Sequence, residues 1–509
     1  MKKLLLETNL SKIYIIVMIL ISLFLLGGYF SYAMFTVSKE KKNAISIVTG
    51  NLVYKLEVDG KESNVLEVPA NTIKTFIIKI SNPNNRKARF NFYYIGKLYA
   101  ETNIGYIKEE GKNIPPREEG INLEKSGSSG SINIYKIRII NRINKKQTIN
   151  LGVNVGLDYN DLLLPNDGYL FEETPQLFIE NIMSKVNAED NISYNIKKCG
   201  DTNSFEKEMY VFDHEAGIQQ SGWTKEELKD YRYIGNCPNN YVNFNNEIWR
   251  IIGVFTTEDE NGNKSQRVKI IRDTNIGTYS YDNKPEGVGS SVSNLGSNYW
   301  VDARIMMLLN GGYESDLYNG SLYYNMGKGL CYIGINNQTE NCDFTKIGLN
   351  DESKKMIDKV KWYLGGNPTD VNLTAQDYYN FERGLSDKEA NWVGEVALMY
   401  PSDYIYTYAN GVDNICFTDG YKCSKVNGAI PTNGWMYSGI TELTFSLSPS
   451  TNLSFDNDVV FTFSPDGHIF SYDSVRNQYG IRPTVYLKND IKILSGDGSS
   501  TNPYVITKL

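Results

Sequence analysis

The chain has 509 residues, 41% of them hydrophobic and 22% charged, which suits roughly two to four packed domains and excludes wholesale disorder or a fibrous repeat. A net charge of -7 leaves no general excess of Lys and Arg for phosphate binding, so nucleic acid is excluded as a partner. With only two histidines, His214 and His468, an HExxH zinc site, a multi-histidine metal centre and most histidine-based triads are excluded as well.

The first predicted element is a membrane segment over residues 13–35, uncharged, apolar on every side, and preceded by Lys2, Lys3 and Lys12. It places the N-terminus, residues 1–12, in the cytoplasm and everything after it outside. Ser31-Tyr32-Ala33 puts small residues where a signal peptidase reads, so the segment is either an anchor or a leader cleaved after Ala33. The expected location is the cell membrane with extracellular domains, or the exterior if cleavage occurs.

Charge then divides the exported part. Residues 36–185 carry 21 basic and 17 acidic side chains, net +4, whereas 186–509 carry 28 and 41, net -13. All six tryptophans and all six cysteines lie in the second part. Over 36–170 the runs NLVYKLEV, TIKTFIIKIS, ARFNFYYIG, INIYKIRIIN and QTINLGVNVGL are β-branched or aromatic, often alternating, and separated by turns such as Ser81-Asn82-Pro83-Asn84-Asn85. They predict an all-β sandwich, with residues 108–130 as an edge loop rather than one strand. Thr174-Pro175 reads as a cap opening a short helix, PQLFIENIMSKVN, in a helical connector over 171–198.

From 199 to 509 element types mix. Tyr231 to Ile234, Tyr241 to Phe244 and Glu247 to Phe255 read as strands, and the turn Glu260-Asn261-Gly262-Asn263 leads into Gln266 to Arg272 as a hairpin. Helical spacing follows at Val301, Ile305, Leu308 and Leu309, again at Ile357, Val360 and Leu364, and a third helix opens at Thr374. Strands return from Trp392 in VGEVALMY, ELTFSLS, VVFTFS, HIFSYDS and IRPTVYLK, so the predicted class is α+β.

The cysteines fall into sequence-near pairs, Cys331 with Cys342 and Cys416 with Cys423, leaving Cys199 with Cys237. Structural disulfides are the expectation; a thiol or copper site at Cys416 and Cys423 is the alternative. Asp259-Glu260-Asn261-Gly262-Asn263 fails the spacing of an EF-hand and reads as a turn. Asp456-Asn457-Asp458 and Gly496-Asp497-Gly498 are the oxygen-rich stretches that calcium would use, if any cofactor is present. His214, between Asp213 and Glu215, reads as a surface feature, and His468 as a strand residue on the face of Phe470. No P-loop, GxSxG or GxGxxG fingerprint occurs, and no catalytic or metal residue is assigned.

The sharper signal is aromatic. Tyr404, Tyr406 and Tyr408 alternate beside Asp403, Asn410, Asn433, Trp392, Trp435 and Tyr437, which predicts one exposed aromatic face with polar groups beside it. Asp403, Tyr404, Tyr406 and Trp435 are therefore the expected ligand-binding residues. Arg250 and Arg482 each interrupt an apolar strand and are expected to be buried and paired.

Two resemblances add to this reading. Ser31-Tyr32-Ala33-Met34-Phe35-Thr36, Asn43 and Gly50-Asn51-Leu52 resemble the start of the camelysin and biofilm-matrix fibre family, which implies a signal peptide followed by a jelly-roll sandwich; Met34 departs from the usual aromatic there. Tyr231-Arg232-Tyr233-Ile234-Gly235, Pro238-Asn239-Asn240-Tyr241-Val242, Trp249-Arg250-Ile251-Ile252-Gly253-Val254, Leu398-Met399-Tyr400-Pro401-Ser402-Asp403-Tyr404 and Gly480-Ile481-Arg482-Pro483-Thr484-Val485 resemble an uncharacterised domain of bacterial surface proteins. That domain is distantly similar to the C-type-lectin-like fold of formylglycine-generating enzymes. The lectin calcium triplets and the Trp-Asn-Asp motif are absent, which counts against calcium-dependent sugar binding. The implied function is a surface binding or adhesion protein, not an enzyme, that recognises an extracellular glycan or protein through its C-terminal domain. A copper-dependent oxidase and a structural envelope or matrix component are the alternatives.

Overall fold

The computed structural model describes residues 52–96, 98–99, 101–108, 120–157, 162, 164–186, 208–284, 296–316, 320–335, 337–365, 375–384, 391–407, 434–447, 459–465 and 469–509. The predicted membrane segment, Cys199, Cys416, Cys423, Tyr408, Asn410, Asn433, His468 and Asp456-Asn457-Asp458 lie outside them. No helix among the described residues is long and apolar enough to cross a membrane. The chain divides into two compact units, Met1–Pro175 and Gln176–Leu509.

In the first unit the strands are β1 (Lys55–Val58), β2 (Lys61–Glu62), β3 (Val65–Val68), β4 (Thr72–Ser81), β5 (Ala88–Ile95), β6 (Thr102–Ile107), β7 (Ile121–Leu123), β8 (Ile132–Asn141), β9 (Gln147–Gly156), β10 (Gly168–Tyr169) and β11 (Glu173–Thr174). They form one sheet in the order β11-β6-β8-β4-β1-β2 and another in the order β10-β5-β9-β3, with β7 on β5. Period-2 alternation explains the core: Phe76, Ile78 and Ile80 of β4 and Tyr135, Ile137 and Ile139 of β8 are buried with Phe90 and Phe92 of β5 and Leu151 and Val153 of β9. Burying each such side chain stabilises by about 1.5–3 kcal/mol. The turn after β4 is held by buried Asn82, whose amide donates to the carbonyls of Arg86, Leu123 and Glu124.

Thr174 is not a helix cap: it lies in β11, paired in parallel with β6. The helix after it, α1 (Phe178–Ser184), begins after Leu177, whose backbone N–H donates to the Glu180 carboxylate. Phe178 and Ile182 are buried in the core of the second unit, so this segment is an integral element of that unit rather than a connector.

The second unit is β-rich with short helices. Its strands continue as β12 (Met209–Asp213), β13 (Lys229–Tyr233), β14 (Tyr241–Phe244), β15 (Glu247–Glu258), β16 (Lys264–Arg272), β17 (Thr278–Ser280), β18 (Lys328–Tyr332), β19 (Thr339–Asp343), β20 (Val360–Tyr363), β21 (Asn391–Gly394), β22 (Val396–Ala397), β23 (Glu442–Leu447), β24 (Val459–Phe463), β25 (Ile469–Ser474), β26 (Gln478–Gly480), β27 (Thr484–Tyr486), β28 (Ile491–Ser495) and β29 (Tyr504–Lys508). The main sheet runs β22-β27-β16-β15-β14-β29-β28, with β13 also on β15 and β12 on β13; a second runs β17-β26-β23-β24-β25. The predicted β15–β16 hairpin closes at Gly262, with φ +79°, and the Asp259 carboxylate accepts from the backbone N–H groups of Asn261 and Asn263. At Gly253 a Cβ would lie 2.1 Å from the Tyr231 carbonyl oxygen, so only glycine lets β13 approach β15 at the register shift there.

Between the strands lie α2 (Arg304–Leu309), α3 (Asp351–Met356), α4 (Ala375–Gly384) and α5 (Pro401–Ile405). The first and third match the predicted helices. The run over 357–364 does not: Asn350 caps α3 early, its side chain accepting from the Ser353 N–H, and Val360–Tyr363 pairs with β21 instead. Its Val, Trp and Tyr residues suit an extended chain, and Trp362 is fully buried against Tyr486, with ring centroids 4.7 Å apart.

Cys331 and Cys342 are joined across β18 and β19, as the sequence predicts. Cys237 is also disulfide-bonded. Opening the Cys331–Cys342 bridge by a double Ala substitution is expected to lower the unfolding free energy by about 2–3 kcal/mol, the loop-closure value for so short a loop, as read from denaturant midpoints.

Candidate functional site

Two of the five sequence blocks of the second unit, those holding Arg232 and Asp403, meet in its interior. Strand β13 turns Asp230 and Arg232, two residues apart, to the same inner face, and Lys269 of β16 points inward beside them. Pro401 opens α5, and the Asp403 carboxylate accepts from the Tyr400 N–H at 2.9 Å, capping the helix. The Arg232 guanidinium then bridges two carboxylates, at 2.7 Å to Asp230 and 3.1 Å to Asp403, and the Lys269 ammonium donates to the other oxygen of Asp403. On α4, Glu382 accepts from the Ser402 N–H and hydroxyl at 2.9 and 2.6 Å and pairs with Arg383 at 3.1 Å.

Rings close over these charges. Lys269 lies 4.4 Å from the Tyr400 ring centroid, Arg232 lies 4.5 Å from that of Tyr406, and Arg383 lies 3.6 Å from that of Tyr379. Burial pushes Lys269 down to about 8, although Asp403 works the other way. Burial likewise raises Glu382 to about 7, against Arg383 and Ser402. At Asp230 burial opposes the charge, yet Arg232 and His214 outweigh it and hold the carboxyl well below the usual range.

The expected ligand-binding face is therefore corrected. Asp403, Tyr404, Tyr406 and Trp435 are 1%, 1%, 2% and 7% exposed. Tyr404 falls on α5 and Tyr406 at its end rather than on a strand, so the two do not share one outward face. Tyr404 stacks on Phe463 at 3.8 Å, Tyr406 packs on Phe212 at 4.4 Å, and the Trp435 indole donates to the Tyr233 carbonyl oxygen at 3.0 Å. Arg250 and Arg482 are buried and paired as expected, Arg250 with Asn240 and Arg482 with Glu442 at 2.6 Å.

His214 is also not a surface residue. Its ring stacks on Tyr379 at 3.6 Å, with Nε2 3.0 Å from Asp230 and Nδ1 2.8 Å from the Gln376 side-chain oxygen, while Asp213 and Glu215 on either side are exposed. Sequence reasoning passed over Asp230, Lys269, Glu382 and Arg383. The signal that selected Arg250 and Arg482, a charge inside an apolar strand, also marks Lys269 between Val268 and Ile270.

An open site is found in the first unit instead. A cleft of about 450 Å³ lies beside β10 and β6, within the size range of small-ligand sites. Strand pairing sets Tyr169 of β10 opposite Tyr94 of β5, and their rings stack at 5.3 Å and 25°. Tyr169 is 52% exposed. Ile104 and Leu164 add apolar wall, and Asn103 and Glu172 add an amide and a carboxylate. Burial, Tyr169 and Glu172 together raise the Tyr94 phenol above its ordinary value, so it stays a hydrogen-bond donor. Tyr94 and Tyr169 were not singled out because only the sheet register brings them together.

Among the described residues no group of three or more His, Cys, Asp or Glu side chains is placed to hold a metal ion. Asp497, in an expected calcium stretch, accepts from the Ser499 N–H at 2.9 Å and so closes a turn. Fold and cleft define a β-rich, two-unit protein with a ligand-sized aromatic cleft in one unit and a buried charge cluster in the other. No family model, no curated protein and no solved structure matches this chain.

Proposed function

We propose that the chain is an exported cell-surface binding or adhesion protein that recognises an extracellular glycan at the tyrosine-walled cleft of its first unit. The supporting observation is the pair of stacked rings, Tyr94 and half-exposed Tyr169, set beside Asn103 and Glu172. Pyranose rings offer C–H faces that pack on aromatic rings, and their hydroxyls bond to amide and carboxylate oxygens. Recognition through Asp403, Tyr404, Tyr406 and Trp435 in the C-terminal domain is disfavoured, since a ligand would have to enter a closed core. The export half of the reading rests on the apolar segment at 13–35.

A glycan array with the full chain tests the recognition, and protease shaving of intact cells tests the location. For a glycan that binds, Tyr169→Ala is expected to weaken affinity about tenfold, the equivalent of ~1.4 kcal/mol, with the fold unchanged by circular dichroism. Unchanged affinity would remove the cleft from the reading. Copper-dependent thiol oxidation by the full chain would replace the binding reading with the oxidase one.

A further inference from the structure

We propose that Lys269 and Asp403 are joined by a spontaneous side-chain amide, a covalent lock between β16 and α5 inside the second unit. The two groups touch, with Nζ against Oδ2, and their side chains are 0% and 1% exposed. Around Nζ stand the rings of Phe255, Trp362, Tyr400 and Tyr486, at 4.4–5.5 Å to their centroids. An ammonium and a carboxylate held there are both stripped of water, a costly arrangement that condensation removes at one stroke.

The chemistry balances without any further reagent. The Nζ–Cγ bond forms, the Cγ–Oδ2 bond breaks, and Oδ2 leaves as water carrying two protons from the ammonium. One positive and one negative charge disappear together. The reacting atoms are already in contact, and fixed intramolecular geometry is worth effective molarities of about 10⁵–10⁸ M. Arg232 donates to Oδ1, the oxygen that stays, at 3.1 Å, where it stabilises the negative charge that builds up as Nζ attacks Cγ. The Tyr400 N–H fixes Oδ2 from the other side. Desolvation makes a lysine nucleophilic by leaving part of it as free amine, in keeping with its value of about 8. After condensation Arg232 keeps Asp230 as its partner at 2.7 Å. The remaining ionisable neighbours, Glu382, Arg383 and His214, are paired elsewhere.

A tryptic map of the full chain, reduced and denatured before digestion, decides the matter by mass spectrometry. The expected product is a branched peptide that joins the segment around Lys269 to the segment around Asp403, lighter by one water than the two together and uncut after Lys269. Lys269→Arg is expected to release the segment around Asp403 as an unbranched peptide of full mass, with cleavage after residue 269. Recovery of the unbranched Asp403 peptide from the wild-type chain, with cleavage after Lys269, would overturn the proposal even if the variant failed to fold. A branched species that survived Lys269→Arg would overturn the assignment.

Discussion

Replacing Arg232 by Met is expected to lower the unfolding free energy of the second unit by about 3–5 kcal/mol, the cost of stranding a buried charge whose partner has gone. Arg232 is 1% exposed and bridges Asp230 and Asp403 from β13 to α5. Met matches the length of the stem and removes only the charge and its donors, so packing against Phe255 and Tyr406 is largely kept. With the amide in place, only Asp230 loses its Arg232 contact and it keeps His214 at 3.0 Å, so the lower end of the range applies. Guanidinium unfolding of the full chain followed by tryptophan fluorescence reads this unit selectively, since all six tryptophans belong to it. A loss below about 1 kcal/mol would show that the guanidinium is no more than a surface-grade pair.

The second large effect is a pH dependence centred on Glu382. In the folded chain burial raises its carboxyl from 4.5 to about 7. Between those values the native state holds a proton that the unfolded chain has released, so stability falls as pH rises. The contribution is fully present below 4.5 and is lost on passing 7, and it amounts to on the order of 3 kcal/mol. Asp230 runs the opposite way: its carboxyl is depressed, so its contribution is lost only as pH falls further into the acid range. Comparison of wild type with Glu382→Gln isolates the effect, because Gln cannot ionise yet still accepts from the Ser402 N–H. Relative to wild type, the variant is expected to gain about 3 kcal/mol between roughly pH 5 and pH 8. Parallel stability curves for the two proteins would refute the assignment.

The sequence alone determined five strands of the first unit, β1, β4, β5, β8 and β9, because one buried face imposes a period of two that survives in the residue order, whereas β6 and the short strands were not legible in it. The run TIKTFIIKIS coincides with β4 and INIYKIRIIN with β8, residue for residue. It also determined the Cys331–Cys342 bridge and the burial of Arg250 and Arg482, since short loops close cheaply and a charge within an apolar strand must find a partner. Tertiary structure alone decided the rest. Val360–Tyr363 became a strand because a partner, β21, was available to pair with it, and local spacing carries no information about a partner. Tyr404 and Tyr406 went inward because α5 docks its cap on Arg232 and Lys269, residues 171 and 134 positions away in the chain. The Tyr94–Tyr169 pair exists only through the register of β5 and β10. Periodicity reports which face of an element is apolar; which charges and rings meet across that face depends on contacts between distant segments, and these the order of residues does not spell out.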